Sequence, residues 1–130
     1  MNYNDLVKKA IEARDFSHSP YSGFRVGAAL LAANGDVFMG CNIEVAGHSA
    51  TCCAERTAFF KAVSSGVSDF TAIAIVGGPD GGLVDDCFPC GVCRQVMSEF
   101  CGDEFVIIVA ESDSEWQKFT LCDMLPHRFK

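Results

Sequence analysis

Two cysteine groups, widely separated along the chain, limit the folds open to it. One is Cys53-Ala54-Glu55, and the other is Pro89-Cys90-Gly91-Val92-Cys93. A lone cysteine beside a glutamate and a Cys-x-x-Cys pair supply three soft ligands for one tetrahedral Zn2+, leaving its fourth position free for water or substrate. The fold must bring the groups together. If a helix begins near Cys90, then Cys90 and Cys93 share one face. Cys53 and Glu55 converge only if Cys53 stands at the first turn of its own helix while Glu55 reaches in from the side. Helix starts at both places aim free N–H groups and positive dipole ends at the sulfurs, which favours thiolate over thiol. Three thiolates with Zn2+ carry a net negative charge, and Arg56 and Arg94 are candidates to offset it through charge-assisted hydrogen bonds to sulfur. Taken alone, the cysteine pattern also allows a structural site, closed by Cys52, Cys87 or a His as fourth ligand.

Hydrophobic periodicity places these groups in an alternating chain. Leu6, Ala10, Ile11 and Ala13 recur at helical spacing after Asn4, which predicts a first helix from Asn4 to Phe16 that cannot pass Pro20. An apolar run from Arg25 to Ala33 meets Asn34-Gly35, a strong hairpin signal, and Val37 to Ile43 returns as its partner. Glu44 to Thr51 has no period and reads as a loop. A second helix is expected from Thr51 or Cys52 to Ser64, stopped by Gly66, and a third from Cys90 to Phe100, stopped by Gly102. Thr71 to Val76 and Phe105 to Ala110 are continuously apolar, as strands buried on both faces are. Strand and helix alternate here, which implies parallel pairing with helices over both faces. Lys118 to Leu121 is a candidate last strand, and Asp123 to Leu125 a helical turn before Pro126. Gly77 to Gly82 resembles a phosphate loop only superficially, because it lacks the Gly-Lys-Ser/Thr ending and runs into Asp85-Asp86.

Length and charge narrow the function. With 130 residues the chain suits one domain, residues 1–130, around one core. A formal net charge of −7 argues against nucleic-acid binding, which needs clustered Lys and Arg. A small neutral substrate fits better. No apolar run reaches the roughly 20 residues that span a bilayer. Met1 to Glu12 mixes charges into its apolar positions and so offers no cleavable leader, which makes the cytoplasm the expected compartment. Cys41, Cys52, Cys87, Cys101 and Cys122 are then read as reduced, mostly small core residues, with Cys52 and Cys87 close enough to the ligands to compete for metal.

Several blocks in one order resemble the short, zinc-dependent cytidine deaminase family. They are Pro20-Tyr21-Ser22-Gly23-Phe24-Arg25-Val26-Gly27, Gly40-Cys41-Asn42-Ile43-Glu44, Cys53-Ala54-Glu55-Arg56-Thr57-Ala58, Pro89-Cys90-Gly91-Val92-Cys93-Arg94-Gln95 and Leu125-Pro126-His127-Arg128-Phe129. The resemblance implies a three-layer α/β fold with a mixed five-stranded sheet and helices on both faces. It implies Zn2+ held by Cys53, Cys90 and Cys93, tuned by Arg56, with Glu55 as catalytic proton carrier. Phe24, Asn42, Glu44 and Ala54 are then substrate-binding residues, the Asn and Glu meeting the sugar, and Phe129 closes the pocket from a neighbouring subunit of a homotetramer. The implied reaction is deamination of cytidine and 2'-deoxycytidine, in pyrimidine salvage. One position departs: His48 stands where many relatives carry Tyr, in a loop that contacts a neighbouring site. The alternatives are a deaminase of another cytosine nucleoside, such as a blasticidin S-like antibiotic, and a non-catalytic zinc-stabilised protein.

Overall fold

The computed structural model describes residues 1–129. In chain order the elements are α1 (Tyr3–Arg14), β1 (Arg25–Ala32), β2 (Val37–Cys41), α2 (Ala54–Ser64), β3 (Phe70–Gly78), α3 (Gly91–Phe100), β4 (Val106–Ala110), β5 (Trp116–Thr120) and α4 (Leu121–Met124). Five strands form one sheet in the order β2-β1-β3-β4-β5. The sheet is mixed. β1 runs antiparallel to both β2 and β3, β3 and β4 are parallel, and β5 returns antiparallel to β4. The parallel pairing expected from alternation therefore holds at one ladder only. Alternation shows that a helix intervenes between β3 and β4, but it does not say on which side of β1 the later strands add.

Element ends differ from the sequence expectation by a few residues, for identifiable reasons. Asn2, not Asn4, caps α1, its side chain accepting from Asp5 N at 2.8 Å. Asn4 is engaged elsewhere, its Oδ1 accepting from Trp116 Nε1 at 2.7 Å. β5 starts at Trp116 rather than Lys118, because pairing with β4 extends to Ala110. Within the loop after β2, His48–Ala50 forms a single 3-10 turn.

The central strand β3 has seven consecutive buried residues, Ala72 to Gly78. Alternate side chains feed two cores. Ile73 and Ile75 join Leu30, Ile107, Val109, Phe59 and Met97 on the face covered by α2 and α3, whereas Ala74 and Val76 join Leu6, Val7, Ala10 and Ile108 under α1. Small residues let the helices approach closely: a Cβ at Gly40 would collide with Ala54 O and Ala58 N, so any larger residue would push back the start of α2. Phe59 anchors the larger core with rings of Phe70 and Phe105 at 5.1 and 6.0 Å, and truncating such a residue costs about 3–5 kcal/mol.

The glycine-rich stretch after β3 has the opposite polarity to a phosphate loop. Its carbonyls, not its N–H groups, converge. Gly78 O, Pro79 O and Gly82 O all accept from Arg14 Nη2, at 2.9, 2.6 and 3.1 Å, while Arg14 Nε donates to Arg25 O at 3.0 Å. One guanidinium at the end of α1 thus ties down the start of β1, the end of β3 and the loop leading to Cys90.

Candidate active site

Both cysteine groups stand at helix starts. Cys53 is the N-cap of α2 and Cys90 the N-cap of α3, each with extended backbone, and Cys93 lies in the first turn of α3. Cys90 Sγ accepts from Cys93 N at 3.5 Å. The sulfurs of Cys90 and Cys93 are 3.5 Å apart and those of Cys53 and Cys90 3.8 Å, and all three lie within 4.8 Å of one another. Three convergent thiol sulfurs are a donor set that suits Zn2+. Cys52 and Cys87 are outside this group, which removes them as ligands among the described residues.

Charge around the sulfurs favours ionisation. The Cys93 thiol donates toward Cys53 and, with the Arg56 guanidinium, draws Cys53 down to about 5, while the same bond pushes Cys93 up. Arg56 Nη2 reaches Cys53 Sγ at 3.3 Å, as expected from the sequence. Its Nε is buried without a partner among the described residues. Arg94 departs from expectation. Its Nε donates to Pro89 O and its Nη1 to Met124 O, each at 2.8 Å, so it braces the peptide before Cys90 against α4 instead of meeting sulfur. An arginine four positions after its own helix N-cap finds nearby carbonyls first, and sequence adjacency to Cys93 carries no such information.

Glu55 is only 4% exposed. Burial, reinforced by the charge on Cys53, pushes its carboxyl up to about 7. A carboxyl near neutrality can both accept and release a proton at physiological pH. It opens on a cavity of about 300 Å3 whose wall includes Phe24, Asn42, Glu44, Ala54, Cys53 and Cys90. The structure thus gathers Phe24, Asn42, Glu44, Cys53, Ala54, Glu55 and Cys90 around one hollow, with Cys93 and Arg56 joined to it through Cys53; two candidates are exceptions.

The segment before α2 makes this convergence possible. Ile43 and Cys52 exchange backbone hydrogen bonds at 2.9 Å, and His18 and Glu44 are joined by Glu44 N to His18 O at 2.8 Å. This small ladder extends the sheet beyond β2 and sets the cavity rim. Asn42 is buried, its Oδ1 accepting from Val26 N at 2.9 Å and from Ser17 Oγ, and its Nδ2 donating to Phe24 O at 2.8 Å. Glu44 accepts from Tyr21 N and Ser22 N at 3.1 and 3.0 Å and from Ser22 Oγ, and the Ser22 hydroxyl holds its pKa below the usual carboxylate range.

The exceptions are His48 and Phe129. His48 meets the Tyr21 ring edge-on at 5.5 Å and lines an adjoining hollow with Ser22, Glu44 and Thr51. Phe129 is 79% exposed and outside its own chain's cavity, its carbonyl accepting from Gln95 Nε2 at 3.1 Å. Sequence reasoning gave no pocket role to Ser22, Val26, Thr51 or Phe88, which also line the cavity, and it named Cys52 and Cys87, likewise in the wall, only as neighbours of the ligands. Only Phe88, two positions before Cys90, carried a usable signal.

The chain's residues 1–109 match the family described as "Cytidine and deoxycytidylate deaminase zinc-binding region". The chain belongs to that family. A cytidine deaminase from Sporosarcina psychrophila is 43% identical over 129 residues, covering 99% of this chain and 92% of that protein. The crystal structure of cytidine deaminase from Burkholderia pseudomallei superposes with a TM-score of 0.88 at 39% identity, covering 99% of this chain and 100% of the other. A blasticidin-S deaminase from Bacillus cereus is 34% identical over 108 residues, 80% of this chain and 76% of that protein. The family assigned to the chain is the one its sequence blocks resemble, and the three-layer mixed sheet is that of its structural neighbours. The family's zinc-binding region and the three-sulfur cluster agree on zinc as the cofactor.

Proposed function

We propose that the protein deaminates cytidine and 2'-deoxycytidine hydrolytically, releasing ammonia and the uridine product. The observation that carries this reading is the buried Glu55 carboxyl opening on the same cavity as two of the three convergent sulfurs. Cys53, Cys90 and Cys93 would hold the metal. When bound, a zinc ion supplies the Lewis acidity that lets water act as a nucleophile near neutral pH. Glu55 accepts one proton of the attacking water and delivers it to ring N3, then takes the remaining proton from the new C4 hydroxyl and passes it to the amine that leaves C4. One water is consumed for each ammonia released, and a carbonyl replaces the amine at C4. Phe24 and Ala54 offer apolar contact to the ring, while Asn42 and Glu44 lie within the same wall to meet the sugar.

The reading extends to a role in pyrimidine salvage in the cytoplasm and to a homotetramer. Assembly is supported by exposed apolar side chains, Phe16, Ile43 and Phe60, two of which are on or beside a second hollow lined by Met39 and Cys41. A second reading, deamination of an antibiotic cytosine nucleoside, is favoured by the relationship to a blasticidin-S deaminase and by His48 beside Tyr21.

The test follows the ultraviolet absorbance of cytidine and of blasticidin S with the purified protein, before and after chelation. Cytidine should be consumed by the metal-loaded protein only. Glu55→Gln should retain zinc and lose roughly 10²–10⁴-fold in rate. A Glu55→Gln protein of near-normal turnover defeats the assignment, and consumption of the antibiotic alone selects the second reading.

A further inference from the structure

The cavity wall carries a second phenylalanine besides Phe24. Phe88 belongs to the segment leading into α3 and leaves 43% of its surface exposed. Its position is well fixed. The ring meets Phe119 of β5 edge-on at 5.6 Å and 72°. Its N–H donates to Asp86 O at 2.8 Å, and the next residue, Pro89, is buried with its carbonyl held by Arg94 at 2.8 Å. On the other side of Phe88, Cys87 fits into a space left by Gly77. A Cβ there would meet Cys87 Sγ at 2.5 Å and Phe24 Cε1 at 3.0 Å, so the missing side chain lets thiol and ring pack together. The segment is therefore anchored on both sides of a residue that forms part of the cavity wall.

An exposed aromatic residue held in place in the wall of a cavity can bind a flat heterocycle with little loss of side-chain freedom. Core packing does not account for Phe88, since Phe119 covers only part of the ring. We propose that Phe88 is a specificity-determining residue that contacts the bound nucleoside as an apolar wall of the pocket. The inference rests on the nucleoside reading above. Because a phenyl ring neither gives nor takes a proton, it stabilises bound substrate and transition state alike. Its loss is then read in KM and not in kcat.

The test compares Phe88→Leu, Phe88→Ser and Phe119→Leu with the parent, in cytidine turnover, zinc content and unfolding midpoint. Phe88→Ser should raise KM roughly tenfold, as loss of an aromatic contact to a base does, with kcat within about twofold. Phe88→Leu and Phe119→Leu should give smaller rises, with zinc retained in all three. Calorimetric binding of cytidine to Glu55→Gln protein, with and without Phe88→Ser, separates this inference from the reaction. If no cytosine nucleoside is turned over but binding weakens with Phe88→Ser, the reaction is wrong and Phe88 stands. If the parent is active and Phe88→Ser leaves both KM and binding unchanged, or lowers kcat alone, Phe88 is not a contact residue.

Discussion

Asn42 and Glu44 show how a side chain on the cavity wall can also hold the scaffold. The amide of Asn42 ties Phe24 and Val26 to the end of β2, and the carboxylate of Glu44 gathers the N–H groups of Tyr21 and Ser22. The Glu44 pKa is lowered, so the sign of its linkage is fixed. Its hold on the Tyr21-Ser22 turn is present above the ordinary carboxylate range and is lost as pH falls through the lower folded value. In nuclear magnetic resonance, the Tyr21 and Ser22 amide signals should titrate together below the ordinary glutamate pKa, and Glu44→Gln should abolish that titration. Signals that move near 4.5, or that still move in the variant, would dissociate the turn from Glu44. At this scale the sequence was informative about which side chains converge. Cys53, Glu55, Cys90 and Cys93 were legible because metal and proton chemistry restrict residue type and spacing. Arg94 and Phe88 were less so, because a guanidinium among carbonyls and a ring beside a cavity are settled by tertiary contacts.

The elements position the site through their ends. α2 and α3 each begin at a ligand cysteine, so two positive helix termini meet across the ends of β1 and β3. The hairpin at Asn34-Gly35, the helices and the two-sided burial of β3 followed from periodicity and turn chemistry. The direction of β3 beside β1 did not, because strand pairing is a long-range choice that local pattern does not encode. The end of α1 matters as much as the start of α2. Arg14→Met would leave Gly78, Pro79 and Gly82 carbonyls without their shared donor, and hydrogen bonds to a charged group of this kind are worth on the order of 3 kcal/mol together. Urea unfolding should show a fall of that size, with zinc dissociating faster because the loop before Cys90 is freed. A stability unchanged from the parent would mean that water replaces the guanidinium without loss.

For the whole molecule, the placement of Phe129 is the most informative single fact. It lies outside its own cavity although its carbonyl is held on the helix bearing Cys93. If it completes a neighbour's pocket, two defective chains can repair each other. Phe129→Ala and Glu55→Gln proteins, each of low activity, should recover activity when refolded together, up to about a quarter of the parent's for random assembly of a symmetric oligomer. No recovery, with mixed oligomers demonstrated by mass, would confine each site to one chain. Such trans arrangements are invisible to periodicity, since a residue serving a partner looks like any exposed residue.

The arginine-bound loop bears on how relatives of this chain can drift. Its anchor is made of main-chain oxygens, and every amino acid supplies the same oxygen. At Asp80 natural variation is therefore expected to be generous in letters and strict in length, whereas Gly78, whose Cβ would run into the Gly82 carbonyl, and Gly81, at a φ of +90°, are held to glycine. A saturation library at Asp80 should survive almost entirely, whereas a one-residue deletion there should be purged. An alignment that scored this stretch by residue identity would register its glycines and miss the length of the loop that leads to Cys90.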